Sequence, residues 1–408
     1  MLTRAACLFC LVLFPGMVAG PVTAETIRIS FEELDSLARS QTPGSRMIEY
    51  EYRKTLAERD EQLQWNNPEL GFDREDVGSS EEYQVTIGKQ FAMPWAYLKK
   101  RSAWTERVNS AELFREAHRL AHLADLKAGY VASRFHQQYL ARLEQLRNIL
   151  TDASHVATSR HSEGHLSGVE AHLIQMTVIS LNASYQQALQ QQRETTADWR
   201  AAVGVADGDS LILTTPIDYR AIELQPAEHY IARINSQPGV QARQTMQQAL
   251  DKQASASRAA FIPSFNLYGG YKKIEPEYDG YVAGVSLSLP LLHRNRANAR
   301  RLEAESNIAA AEATLYRTQA AGQVRALTRS IAESGNMLAA VADHFEEDLE
   351  ALNSLLYSYE EGWLSLIELL NAVQIETDGL EDYYDQLIRY YKNLFELEAL
   401  TGTTLVRF

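Results

Sequence analysis

The ten histidines, the side chains readiest to ligate a metal or move a proton near neutral pH, are unevenly placed. His155, His161, His165 and His172 crowd one short stretch, and His118 and His122 stand four residues apart. Four-residue spacing on a helix puts two imidazoles on one face, where they could ligate a transition metal. No carboxylate or third histidine completes that pair, so these read as surface histidines and no metal site is assigned. Nothing pairs a nucleophile with a base, brackets a reacting bond with two carboxylates, or cradles a phosphate in a glycine loop. The chain is therefore read as a non-enzyme without a cofactor. The glutamates with the most regular surroundings are Glu170 and Glu368, each closing a Gly-x-x-Ser-x-x-Glu phrase that opens at Gly164 or Gly362.

Those phrases have a structural meaning of their own. A glycine just past a helix end accepts the left-handed conformation that stops the helix. Ser167 with Glu170, and Ser365 with Glu368, have the spacing of a capping box for the next helix. Each phrase is thus a tight helix-to-helix reversal. Capping accounts for the glycine and the serine, but not for the leucine before each serine, Leu166 and Leu364.

The elements that must position these turns occur twice. Ser40-Gln41-Thr42-Pro43-Gly44 has a counterpart in Ser236-Gln237-Pro238-Gly239, and Pro43 stands as far from Pro68 as Pro238 does from Pro263. Glu163-Gly164-His165-Leu166-Ser167 matches Glu361-Gly362-Trp363-Leu364-Ser365. At that same offset Glu170 falls on Glu368, Tyr185 on Tyr383, Leu189 on Leu387 and Gly204 on Gly402. An ordered series of this kind means two structural repeats, 25–215 and 216–408, meeting near Thr214-Thr215-Pro216. Each repeat is expected to start with a helix broken at a proline (about Phe31–Asn66 and Glu228–Phe261). Two strands follow, about 68–74 and 83–91 in the first repeat, 264–273 and 281–290 in the second. A long helical hairpin closes each, about 95–202 and 294–400. At 1.5 Å per residue the outgoing helix spans roughly 100 Å. Leu338, Val341, Phe345, Leu349, Leu352 and Leu356 recur at steps of three and four, the narrow seam of coiled-coil contact. Leu140, Leu143, Leu146 and Leu150 do the same. So narrow a seam suits a sheet-like or tubular array of helices.

In the second strand Tyr83, Val85, Ile87, Lys89 and Phe91 alternate with Gln84, Thr86, Gly88 and Gln90. In the fourth, Tyr281, Ala283, Val285, Leu287 and Leu289 alternate with Val282, Gly284, Ser286 and Ser288. Strands of roughly nine to ten residues with aromatic ends have membrane-barrel dimensions. A water-soluble sheet with one buried face fits the same pattern equally well. Four strands cannot close a membrane barrel, which needs about eight, and open edges are not tolerated in lipid. If these strands span a membrane, several chains share one barrel.

The 408-residue chain carries 53 acidic against 39 basic side chains, a net charge of −14, which argues against a nucleic-acid partner. With a mean hydropathy of −0.30, no internal run approaches the roughly 18 apolar residues of a membrane helix. At the N-terminus Arg4, the apolar stretch Ala5–Val18 and Val22-Thr23-Ala24 read as a signal peptide over 1–24, cut after Ala24. Both cysteines, Cys7 and Cys10, lie within it, so the exported chain is expected to hold no disulfide or thiolate site.

Two repeats of helix, strand pair, long helix, glycine turn and return helix resemble the TolC family of outer-membrane efflux channels over essentially all of 25–408. Asn67-Pro68-Glu69-Leu70 looks most like the branch of that family associated with heavy-metal cation efflux. The resemblance implies a mainly α fold with a small membrane β-barrel contribution: a homotrimer with a twelve-stranded barrel in the outer-membrane lipid and a long helical tunnel across the periplasm. It implies docking of a periplasmic adaptor (membrane fusion) protein and an inner-membrane efflux pump at the tips Gly164, Leu166, Ser167, Gly362, Leu364 and Ser365. It places Glu170 and Glu368 at the pore constriction. A second acidic position there is Asn371 in this chain, which puts a double acidic ring in doubt. The lipid face of the barrel would be Tyr83, Val85, Ile87, Phe91, Val285, Leu287 and Leu289. The function so implied is a passive exit duct for metal cations or small toxic compounds. A duct for one-step protein secretion and a soluble periplasmic coiled-coil scaffold are the alternatives.

Overall fold

Proline and glycine punctuate the chain into its elements. The computed structural model describes residues 26–408 except 78–79, 207–208, 260–263, 276–277, 289–295 and 348. The expected leader 1–24 and Leu289 lie outside the described residues, as do the side chains of Leu349 and Leu352 from the expected seam. The first half runs β1 (Thr26–Ile29), α1 (Leu34–Ser40), α2 (Pro43–Leu63), β2 (Glu69–Val77), β3 (Ser80–Phe91), α3 (Pro94–Ser162) and α4 (Gly168–Val203). The second runs β4 (Ser210–Leu213), α5 (Ala227–Ile234), α6 (Pro238–Ala259), β5 (Ser264–Glu275), β6 (Tyr278–Ser288), α7 (Arg296–Glu347), α8 (Leu349–Glu360) and α9 (Leu366–Thr401). Element for element the second half repeats the first, with α7 and α8 standing for α3.

The break before α2 comes from Pro43, which fits the first helical position because it has no N–H to leave unpaired. Thr42 is extended there, and its side chain accepts the Ser45 N–H. α3 opens on Pro94 in the same way and continues for 69 residues, about 100 Å. α4 and α9 end at Gly204 (φ 87°) and Gly402 (φ 64°), both left-handed, a conformation costly for any residue with a Cβ.

Two features depart from the sequence expectation. β1 and β4 form a parallel pair, Thr26 opposite Ser210 through Ile29 opposite Leu213. Four residues are too few for a period-two pattern to stand out. β4 thus opens the second half as β1 opens the first, so the halves divide before Ser210 and not at 215/216 as read from the sequence. The strands of the main sheet also extend further at one end: β2 reaches Val77, β3 begins at Ser80 and β6 at Tyr278. The added rungs, Glu75 opposite Glu82 and Asp76 opposite Glu81, carry no apolar alternation and continue the ladder through backbone pairing with ion pairs of Glu81 to Arg74 and Glu82 to Lys272.

The main sheet is antiparallel with the order β2-β3-β5-β6. Next to it the helices that enter and leave these strands contact one another in the order α2, α3, α6, α7. Further along, α3 is flanked by α4 and α9, and α9 by α7. The core concentrates there. Leu126, Tyr130, Phe135, Leu143, Leu146 and Leu150 of α3 are buried with Leu380, Leu387, Tyr391, Leu394 and Phe395 of α9. Each such side chain contributes roughly 1.5–3 kcal/mol on full burial. Leu338 of the seam is buried among them, with Val341, Phe345 and Leu356 packed against the cluster.

The stretch between β4 and α5 has no regular period and gave no sequence signal, yet it is strapped to α9. Tyr391 donates to the Asp218 carbonyl (2.8 Å) and accepts from the Arg220 N–H (3.1 Å). Tyr390 donates to the Arg220 carbonyl and accepts from the Ile222 N–H. Burial pushes the Tyr390 hydroxyl up to about 12, so both phenols stay protonated donors. Nearby Glu398, buried, takes Lys127 Nζ at 2.6 Å and the N–H groups of Leu405 and Val406.

Candidate functional site: sheet faces and helical turns

Cross-strand register decides what each face of the sheet presents. Phe72, Val85, Tyr271 and Tyr281 form one row across all four strands, and Leu70, Ile87, Gly269 and Ala283 the next. Leu267 with Val285, and Phe91 with Phe265 and Leu287, continue the same face. Its large side chains are uncovered: Leu70 is 77% exposed, Ile87 59% and Val285 63%. Of the residues assigned to this face from sequence, Val85, Ile87, Val285 and Leu287 lie within it. Tyr83 sits at one rim, in the row of Arg74, Lys273 and Asp279. Phe91 sits at the other, stacked on Phe265 at 5.3 Å and edge-on to Trp65 at 5.7 Å. Lys89 shares the face and lays its ammonium over the Trp65 and Phe91 rings.

The opposite face is polar and small. Gly71, Thr86, Gly270 and Val282 share a row, as do Asp73, Gln84, Lys272 and Gly280. Lys272 pairs with Glu82, and Gln90 donates to Ser264 at 2.7 Å. Gly284 leaves room for a ring: a Cβ there would meet Tyr268 at 2.4 Å. Among the described residues the outer strands β2 and β6 each have a single neighbour, so each offers an unpaired edge.

At the far end of the long helices stand the two reversals. Gly164 and Gly362 have φ of 81° and 80°, and nothing lies within 4 Å of a Cβ at either, so conformation and not crowding calls for glycine. Ser167 accepts the Glu170 N–H at 3.2 Å while Glu170 accepts the Ser167 N–H at 2.9 Å. Ser365 and Glu368 repeat the exchange at 3.3 and 2.9 Å, and the Ser365 hydroxyl also donates to Glu368 at 2.7 Å. The serine side chain, and then its backbone N–H, hold each carboxyl below the usual glutamate value. Leu166 and Leu364 turn inward onto the core, which explains the leucines that capping left unexplained. Asn371 is exposed one turn beyond Glu368. Within one chain, and among the described residues, no hydrogen bond joins Glu170 to Glu368.

A contact that no local sequence pattern announces ties one tip to the other. Arg160, in the last turn of α3, donates to the Glu360 carbonyl at 2.8 Å and lays its guanidinium 4.9 Å over the buried Tyr359 ring. The repeat gives no hint of this, since the position matching Arg160 is Ser358. Two of the histidines are otherwise engaged. His122 meets Thr42 Oγ1 at 2.7 Å in the α1–α2 break, and burial lowers its pKa. His161 meets the Leu166 carbonyl at 2.9 Å. No cluster of three potential ligands able to hold a metal occurs among the described residues.

This arrangement, a four-stranded sheet with one uncovered apolar face set beside paired long helical hairpins, recurs in solved outer-membrane channels. Residues 232–403 match the family described as outer membrane efflux protein. The solved structure of CusC, described as forming a transmembrane channel, is similar at a TM-score of 0.72 and 14% identity, over 91% of this chain and 92% of that one. The Campylobacter jejuni CmeC outer membrane channel matches at 0.73 and 12%, over 91% and 85%. The outer membrane protein VceC from Vibrio cholerae matches at 0.71 and 14%, over 92% and 97%. No curated protein matches the sequence. The second repeat thus carries the sequence signature of the outer membrane efflux family, the TolC-like group, and the chain as a whole has the fold of its channels.

Proposed function

We propose that three copies of this chain form the outer-membrane channel of a tripartite efflux system. The observation that carries the reading is the sheet, which has an uncovered apolar face, a polar opposite face and two bare edges. Lipid accepts the first, a water-filled lumen the second, and only neighbouring copies can pair the third. Three such sheets give twelve strands around one lumen, with the helical hairpins reaching into the periplasm. The chain is then a passive duct, not an enzyme, and lives in the outer membrane of a Gram-negative bacterium.

Cargo arrives from an inner-membrane efflux pump through a periplasmic adaptor docked at Gly164–Ser167 and Gly362–Ser365. Glu170, Glu368 and Asn371 face the narrow entrance, where two carboxylates from every chain favour cations over anions. That bias, with the Asn67-Pro68-Glu69-Leu70 phrase, supports metal cations or small toxic cations as cargo. Opening separates the two tips of each chain and breaks the contact of Arg160 with Glu360 and Tyr359.

Membrane fractionation and planar-bilayer recording test this together. The purified protein is expected to need detergent for extraction, to run as a trimer, and to conduct with cation preference. Release by salt alone would overturn the channel reading. An ion preference unchanged by Glu368→Ala would remove that residue from the entrance. Sensitivity of a deletion strain to metal salts and to cationic drugs would then separate the two cargo classes.

A further inference from the structure

Charge is distributed against the overall balance just beyond the sheet. Lys99, Lys100 and Arg101 occupy the second turn of α3, and Arg296, Arg300 and Arg301 the first two turns of α7. α3 carries no acid before Glu106 and α7 none before Glu303. Arg301 pairs with Glu305, whereas Lys99, Lys100, Arg101, Arg296 and Arg300 have no ion pair among the described residues. In a chain of net charge −14, both halves thus put positive charge at the same level.

A groove of about 660 Å³ opens there, lined by Lys100, Arg107 and Arg301 together with Trp65, Tyr97 and Trp104. Trp65 stacks on Tyr97 at 5.5 Å and touches Phe91 edge-on, so the groove joins the uncovered apolar face at its rim. Burial lowers the pKa of the Lys100 ammonium, and no carboxylate among the described residues compensates it. An unpaired, partly desolvated ammonium beside three aromatic rings and two guanidinium groups, Arg107 reaching Glu58 at 4.0 Å and Arg301 paired with Glu305, asks for an anion attached to an apolar body.

We propose that this groove binds an anionic phospholipid of the periplasmic leaflet, its phosphate on Lys100 and Arg301 and its acyl chains along Trp65, Phe91 and the apolar sheet face. The proposal rests on membrane insertion as read above and adds a lipid preference to it. Phosphatidylcholine presents the same tails and phosphate with a compensating cation, so net headgroup charge is what the site distinguishes.

The detergent-purified trimer is incubated with equal amounts of phosphatidylglycerol and phosphatidylcholine, and bound lipid is read by native mass spectrometry. Insertion is scored separately, by retention in vesicles after an alkaline wash. Wild type should retain phosphatidylglycerol preferentially. Lys100→Gln or Arg301→Gln should each lower that preference roughly fivefold, the effect of one basic side chain near an anionic surface. Lys100→Arg should keep it, which separates charge from folding. Equal retention of the two lipids by a properly inserted wild type would sink the lipid site and leave the channel reading standing. Displacement of phosphatidylglycerol by inorganic phosphate alone would make this a free-anion site and overturn the lipid assignment. Failure to insert at all would remove both.

Discussion

Trp199 shows how much of the helical packing hangs on single atoms. Its indole N–H donates to the Leu126 carbonyl at 2.9 Å, and the ring fills the space left by Gly129, where a Cβ would meet it at 2.3 Å. Gly129→Ala should therefore force α3 and α4 apart locally and cost about 1–3 kcal/mol, measured as a lower urea midpoint with an unchanged slope. Arg160→Ala should behave differently. Its exposed contact with the Glu360 carbonyl is worth little to stability, ~1 kcal/mol or less, but it spans the two tips. The expected result is near-native unfolding together with higher resting conductance in bilayers. These two residues also mark what the sequence could tell. Glycine, serine and glutamate in the turns were legible because their chemistry is local, within six residues. Arg160 and Tyr359 were not, because they meet across the repeat and only one repeat supplies each of them.

Capping boxes set the ends of α4 and α9, and their energetics belong to the element. Ser365→Ala removes the acceptor for the Glu368 N–H and should cost about 1 kcal/mol, visible as faster hydrogen exchange confined to the first turn of α9. The glutamates add a pH dependence of definite sign. Both carboxyls are held below their ordinary value of 4.5 by the serine side chain and then its backbone N–H. Their contribution is complete above that value and lost as pH falls through the lowered one. First-turn exchange protection in α4 and α9 should thus stay level, after correction for intrinsic rates, from neutral pH down to about 5 and decline below about 4. Proline and glycine made most helix boundaries readable, and alternation made β3 and β6 readable. β1, β4 and the strap held by Tyr390 and Tyr391 escaped because they are too short or too irregular for any period to accumulate. Their order comes from partners far away in the chain.

For the assembled molecule, neighbouring residues on β3 should answer oppositely to the same substitution. Val85→Arg places a charge on the uncovered apolar face, at a cost of roughly 2–4 kcal/mol near the middle of a bilayer. Thr86→Arg places it on the polar face beside Gly270 and Gly71. Heat-resistant trimer on a semi-native gel should fall sharply for the first and persist for the second, with conductance altered instead. Equal loss in both would argue against a barrel with lipid outside and water within. The pairing of β1 with β4 gives this molecule a clock. Thr26–Ile29 emerges early in synthesis, yet Ser210–Leu213, its partner, comes only after the whole first repeat has been made. Closing so long a loop adds little to the thermodynamic cost, which grows slowly with length, but distant pairings form late. The first repeat therefore stays unfinished until residue 213 is at hand, the earliest moment at which it can settle. A chain truncated before that point should be recognisable to proteases as incomplete even though every helix of its first hairpin is already present.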